Sequence, residues 1–125
     1  MRLAQDGIDW EPDPLILDER YVAAHVKGKG MVVITACSHS GVINVLQDAR
    51  NVFGDVPLYA VMGGFHLSGA EVEAVIPDTV RDIGQFALKR IAPCHCTGWR
   101  ALNALARIYD EDVLMPSAVG RKFLF

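Results

Sequence analysis

The stretch MVVITACSH (31–39) decides how this chain is read. An almost wholly apolar, β-branched run gives way to small residues and then to a histidine. Such a run suits a strand buried on both faces. The same sentence is repeated twice more, as LYAVMGGFH (58–66) and IAPCH (91–95), and each instance leads into a helical pattern. Strand–helix–strand units impose parallel strands with right-handed crossovers. In an open sheet of that kind the loops after the strands gather along one rim, where ligands bind. His39, His66 and His95 are therefore expected to converge from distant positions in the chain. Neutral imidazole is the commonest metal ligand in such places.

The elements between these runs follow from pattern. Tyr21–Val26 and Met31–Ala36 flank a short Gly-Lys-Gly connection and read as a hairpin. Val42, Ile43, Leu46 and Ala49 share a helical face, and Gly54 lies just past its end. A second helix is expected from Pro77 to about Phe86, proline being suited to a first turn. A third carries an apolar stripe of Trp99, Leu102, Leu105, Ala106 and Tyr109. VLMP (113–116) and RKFLF (121–125) read as two closing strands, and residues 1–13 as an irregular lead-in.

Composition sets the outer limits. The chain has 125 residues, suited to a single domain over 1–125, with 51% apolar and 22% charged residues. A chain of this size buries about two-thirds of its unfolded surface. With a net charge of −3 and no basic block, nucleic acid is not expected as a partner. No apolar run reaches the length of a membrane span, and the polar start lacks a signal-peptide core. Three cysteines without a disulfide-like framework fit a reducing compartment, so the cytoplasm is the expected location.

In IAPCHCTGW (91–99) a histidine stands between two cysteines with no residue separating them. Zinc hooks usually leave two to four residues between successive ligands. If the segment stays extended, Cys94 and Cys96 face one way and His95 the other, so His95 and the cysteine pair are alternative ligands. The same alternation makes Cys94 with His95 a poor nucleophile and base. His95 is thus taken as the rim ligand. Cys37, Cys94 and Cys96 are taken as small residues packed behind it.

Gly63 and Gly64 suit a turn with positive φ that brings backbone close to a site. Ser38, Ser40, Thr97 and Gly98 precede helices, where they would cap free amides or assist in holding an anion of the substrate. His25, inside a strand pattern, reads as structural or surface. Asp18, Glu19, Asp78 and Asp82 read as solvated surface, with Asp78 also complementing a helix amino terminus.

ACSHSG (36–41), GGFHL (63–67) and APCHCTG (92–98), in this order, resemble the carboxyl-terminal half of the metallo-β-lactamase superfamily. The branch most similar is that of 7,8-dihydropterin-6-methyl-4-(β-D-ribofuranosyl)aminobenzene-5′-phosphate synthase-like hydrolases. DERYVAAHVKGKGMVV (18–33) and SAVGRKFLF (117–125) extend the resemblance, and Ala36 departs from it where the family tends to have glycine. The resemblance implies an α/β fold: half of an αβ/βα sandwich, a mixed sheet with helices packed on one face. It implies metal-assisted hydrolysis of a small ester, lactone or phosphoester, with zinc, manganese or iron as cofactor. A complete site would hold one or two ions. By position His39 would serve the first metal and His95 the second, while His66 stands about where many relatives place a bridging aspartate.

The amino-terminal half of the family carries an H-x-H-x-D-H motif, which this sequence lacks. Half of a binuclear site remains, and no catalytic group is assigned. An unpaired half would also expose an apolar sheet face, and exposed patches of that kind usually mark interfaces. The expected partner is a second copy of the chain or a separate amino-terminal half. The rival readings are a non-catalytic binding or structural subunit and a truncated fragment of a longer hydrolase.

Overall fold

In the computed structural model, residues 2–3, 6–14, 16 and 19–125 are described. Asp18, expected at the surface, lies outside them. The elements in chain order are β1 (Arg2–Leu3), β2 (Trp10–Glu11), β3 (Tyr21–Val26), β4 (Gly30–Thr35), α1 (Val42–Phe53), β5 (Leu58–Gly63), α2 (Ile76–Ile83), β6 (Arg90–Pro93) and α3 (Trp99–Ala106). Single 3-10 turns occupy Glu73–Val75, Gly84–Phe86 and His95–Thr97.

The four-stranded sheet has the order β3-β4-β5-β6. β3 pairs antiparallel with β4 as the expected hairpin, whereas β4, β5 and β6 run parallel. The sheet is therefore mixed. Its crossovers put helices on one face, where the side chains of alternate residues collect. Met31, Val33, Val61 and Ile91 lie on that face and join Val45 and Leu46 of α1, Val80 and Ile83 of α2 and Leu105 of α3 in one core. Leu46, Ile91 and Leu105 are fully buried. The opposite face carries Val22, Ile34 and Met62 in neighbouring registers. Val22 is 63% exposed and Ile34 41%.

Four expectations change. The lead-in is not wholly irregular, because β1 and β2 pair antiparallel within it. Of the two closing strands, VLMP reduces to one parallel bridge from Leu114 to Ile91, and RKFLF forms no strand. The chain beside β6 stays registered for only two hydrogen bonds, Ile91 N–H to the Val113 carbonyl and Met115 N–H to the Ile91 carbonyl, because Pro93 has no N–H to give to the next carbonyl. Trp99, 73% exposed, and Ala106 do not join the α3 stripe: they are the first and last residues of the helix, and its buried side chains are Ala101 and Leu105. Lastly, neither α1 nor α3 has a side-chain cap; Gly41 and Gly98 occupy the cap positions with φ of 95° and 78°.

Candidate functional site

The three histidine-bearing loops lie at the carboxyl ends of β4, β5 and β6 and are tied to one another through the backbone. Gly64 N–H donates to the Ala36 carbonyl at 3.1 Å, Cys94 N–H to the Gly63 carbonyl at 2.7 Å, and Leu67 N–H to the Cys96 carbonyl at 3.1 Å. Thr97, fully buried, accepts a hydrogen bond from Phe65 N–H through Oγ1 at 3.2 Å. It braces the GGFHL loop from within and does not face an anion. Ser38 is equally buried, its hydroxyl 2.9 Å from that of Thr35.

Glycine has a distinct task at each of two adjacent positions. Gly63 has φ of 138°, and a Cβ there would run into the Thr35 carbonyl oxygen of the neighbouring strand. A Cβ on Gly64 would lie 2.5 Å from Cys96 Sγ and 2.7 Å from His95 Nε2. Only the first of the pair shows the positive φ expected of both. The second is small because side chains of the rim occupy the space where its own would be.

His39 and His66 meet edge to face with ring centroids 4.6 Å apart. They share a cavity of about 250 Å³ with Ser38, Ser40, Phe65 and Thr79. His66 takes the left-handed conformation, φ 48°, as does Ser38 at 56°. Such angles are uncommon outside glycine and cluster at functional sites. The imidazoles are thus held in contact by loops that adopt costly backbone geometry.

His95 is placed differently. Its Nε2 lies 3.1 Å from Cys37 Sγ, and Cys37 Sγ, His95 and Cys96 Sγ bring their ligand atoms within 4.8 Å of one another. The expectation that both cysteines point away from His95 fails for a local reason. The extended backbone ends at Cys94, and His95–Thr97 form a 3-10 turn. Consecutive side chains on such a turn are about 120° apart instead of the 180° of a strand, so His95 and Cys96 can both reach Cys37. Cys94, still extended, turns aside and directs its Sγ to the Ala92 carbonyl at 3.4 Å. Burial pushes the Cys96 thiol above its ordinary range, with the neighbouring Cys37 adding to the shift and a hydrogen bond from the His66 backbone opposing it.

Of the surface residues, His25 is exposed on β3. Asp78 pairs with Arg81 at 2.7 Å and Asp82 with the same guanidinium at 2.8 Å, both on the outer side of α2. Glu19 differs from expectation: it is half-buried, and its carboxylate accepts from Ser40 N–H at 3.1 Å and from the Ser40 hydroxyl at 3.4 Å. Ser40 is thereby engaged ahead of α1 without capping it. No pattern around Glu19 signals this contact, which joins positions 21 residues apart.

Comparison with known proteins places the architecture. No protein-family model matches the chain. It is 34% identical over 89 residues to the 7,8-dihydropterin-6-methyl-4-(β-D-ribofuranosyl)-aminobenzene-5′-phosphate synthase of Methanocaldococcus jannaschii, covering 71% of this chain and 30% of that protein. An uncharacterized protein of the same organism is 35% identical over 77 residues, covering 62% of this chain and 28% of the relative. The crystal structure of Tm1679, a metal-dependent hydrolase of the β-lactamase superfamily, superposes with a TM-score of 0.71 at 33% identity over 82% of this chain and 39% of that one. The chain thus spans less than a third of the length of these curated relatives. Its mixed sheet and helices have the fold of a β-lactamase-superfamily metal-dependent hydrolase, as the three motifs imply. Among the described residues no helix is long and apolar enough to cross a membrane.

Proposed function

We propose that this chain supplies the histidine-bearing part of a metal-dependent hydrolase centre, with His39, His66 and His95 as its ligands. The observation that carries the reading is the contact of His39 with His66, rings 4.6 Å apart, in loops hydrogen-bonded through the backbone to the loop of His95. The donor set fits a divalent ion, since imidazoles suit zinc and iron, whereas manganese prefers carboxylate oxygens that a partner would have to supply. When bound, such an ion supplies Lewis acidity and a nucleophile at neutral pH. The chain's own contribution is positional. Left-handed Ser38 and His66 aim the first two rings, and buried Thr97 keeps the second loop in register with the third. Of the residues expected to meet an anionic group of the substrate, Ser40 lines the cavity of His39 and His66, with its hydroxyl on Glu19, while Ser38 and Thr97 brace the loops from within.

In this reading the chain acts with a partner, either a second copy or a separate amino-terminal half carrying H-x-H-x-D-H. Support comes from the exposed Val22–Ile34 stripe on the sheet face opposite the core. The reaction class, hydrolysis of a phosphoester, ester or lactone, follows from the likeness to a metal-dependent hydrolase. Elemental analysis of the chain carrying Cys37→Ser and Cys96→Ser, so that no thiolate site contributes, tests the ligand assignment: about one ion per chain or per dimer, lost on adding His39→Ala or His66→Ala, is expected. Metal content unchanged in both variants would sink it. Light scattering then tests the partner, a stable monomer without binding of an apolar dye being the adverse outcome.

A further inference from the structure

Beyond the histidine rim, we infer that Cys37, Cys96 and His95 form a second, sulfur-rich site that takes a single soft metal ion, zinc in the first instance. Three observations converge on it. The donors come from two loops 58 residues apart, and Cys37 Sγ lies 3.1 Å from His95 Nε2. All three ligand atoms fall within 4.8 Å of one another. Zinc holds sulfur at about 2.3 Å and nitrogen at about 2.0 Å, so donors at the corners of its tetrahedron lie roughly 3.5–3.8 Å apart. The three atoms therefore need only small side-chain rotations to close on one ion. Gly64 supplies the third observation. Its missing Cβ is what leaves room for Cys96 Sγ and His95 Nε2, which would otherwise be met at 2.5 and 2.7 Å.

The ion class follows from the donors. Two thiolates and an imidazole favour zinc or cuprous copper over magnesium, calcium or manganese. Binding releases the thiol protons to solvent, because sulfur ligates as thiolate. Three protein donors leave a fourth position open, as in zinc sites that accept an exogenous ligand. Cys94 is excluded: its Sγ is turned to the Ala92 carbonyl. The inference stands without the histidine rim, since His39 and His66 contribute nothing to it. It does claim the same His95 imidazole, so an ion held by sulfur competes with the rim for that ligand.

Cobalt(II), titrated into the whole chain kept reduced with a phosphine, is the probe. About one equivalent should bind, with thiolate-to-cobalt charge-transfer absorption in the near-ultraviolet that zinc then abolishes. Cys37→Ser and Cys96→Ser should lose that absorption. Cys94→Ser, His39→Ala and His66→Ala should keep it, which separates this site from the histidine rim. A measurement on the unaltered chain guards against misfolded variants: zinc should slow alkylation of Cys37 and Cys96 by roughly tenfold or more while leaving Cys94 unchanged. Absence of the charge-transfer absorption, its persistence in both serine variants, or uniform alkylation of all three thiols with zinc present would overturn the assignment.

Discussion

Gly63 and Gly64 adjoin, yet alanine at the two positions should have different consequences. At Gly63 the added Cβ meets backbone: the Thr35 carbonyl oxygen, with the Thr35 carbonyl carbon at 2.9 Å and its Cγ2 at 2.7 Å. Heavy atoms in favourable contact sit at about 3.5–4.0 Å, and Thr35 is paired to Gly63 in the parallel ladder and cannot rotate away. Strain from a φ of 138° adds about 1–3 kcal/mol for a residue with a side chain. Overpacking adds about 1–3 kcal/mol more. Gly63→Ala should therefore cost ~3 kcal/mol or more, a large share of the roughly 5–15 kcal/mol available to a domain. At Gly64 the Cβ meets only the ends of Cys96 and His95, which can rotate outward. Gly64→Ala should cost about 1 kcal/mol, the lower end of the overpacking range. Urea unfolding followed by far-ultraviolet circular dichroism reads the difference. With a slope of about 1.5 kcal/mol per molar, Gly63→Ala should lower the midpoint by about 2 M and Gly64→Ala by less than 1 M. Gly64→Ala should nonetheless change the reactivity of Cys37 and Cys96, whose shared space it fills. Equal midpoints for the two variants, or the reverse order, would refute the distinction between backbone and side-chain collision.

Other consequences can be checked on the same apparatus. Leu46→Ala, at a fully buried position in the middle of α1, should destabilise by about 2–5 kcal/mol with the unfolding slope unchanged. Thr97→Val keeps the shape but leaves Phe65 N–H without its buried acceptor, at a cost of about 1–3 kcal/mol that Thr97→Ser should largely restore. Tyr21 donates to Asp48 at 2.7 Å, and burial followed by that bond pushes its phenol up to about 12 from an ordinary 10. The folded state holds this proton more tightly than the unfolded chain. The contribution is therefore complete below pH 10 and is lost as pH rises toward 12. Tyr21→Phe should lose less stability than the parent chain over that interval; parallel unfolding curves for the two would count against it.

Much of the chain could be read without a structure because its signals are local. Apolar runs ending in small residues, β-branched in β4, marked β4 and β5, and the Gly-Lys-Gly turn joined β3 to β4 in the observed pairing. Periodicity placed α1 and α2, and the repeat of strand, small residues and histidine implied parallel strands with one functional rim. The amino-acid sequence by itself therefore determined a mixed sheet, its helices and the carboxyl-end loops bearing His39, His66 and His95. Tertiary structure alone decided which of their side chains meet. Strand alternation stops at Cys94, two residues short of Cys96, and the 3-10 turn at His95–Thr97 swings Cys96 onto the side of His95, where Cys37 waits from another loop. The Glu19–Ser40 contact and the brace from Thr97 to Phe65 likewise join segments remote in sequence. The failure of RKFLF to become a strand has the same origin: an apolar segment forms a ladder only where an edge is in reach, and beside β6 the pairing ends at Pro93. Pattern records what each segment prefers, but a cluster of donors depends on where the loops end in space.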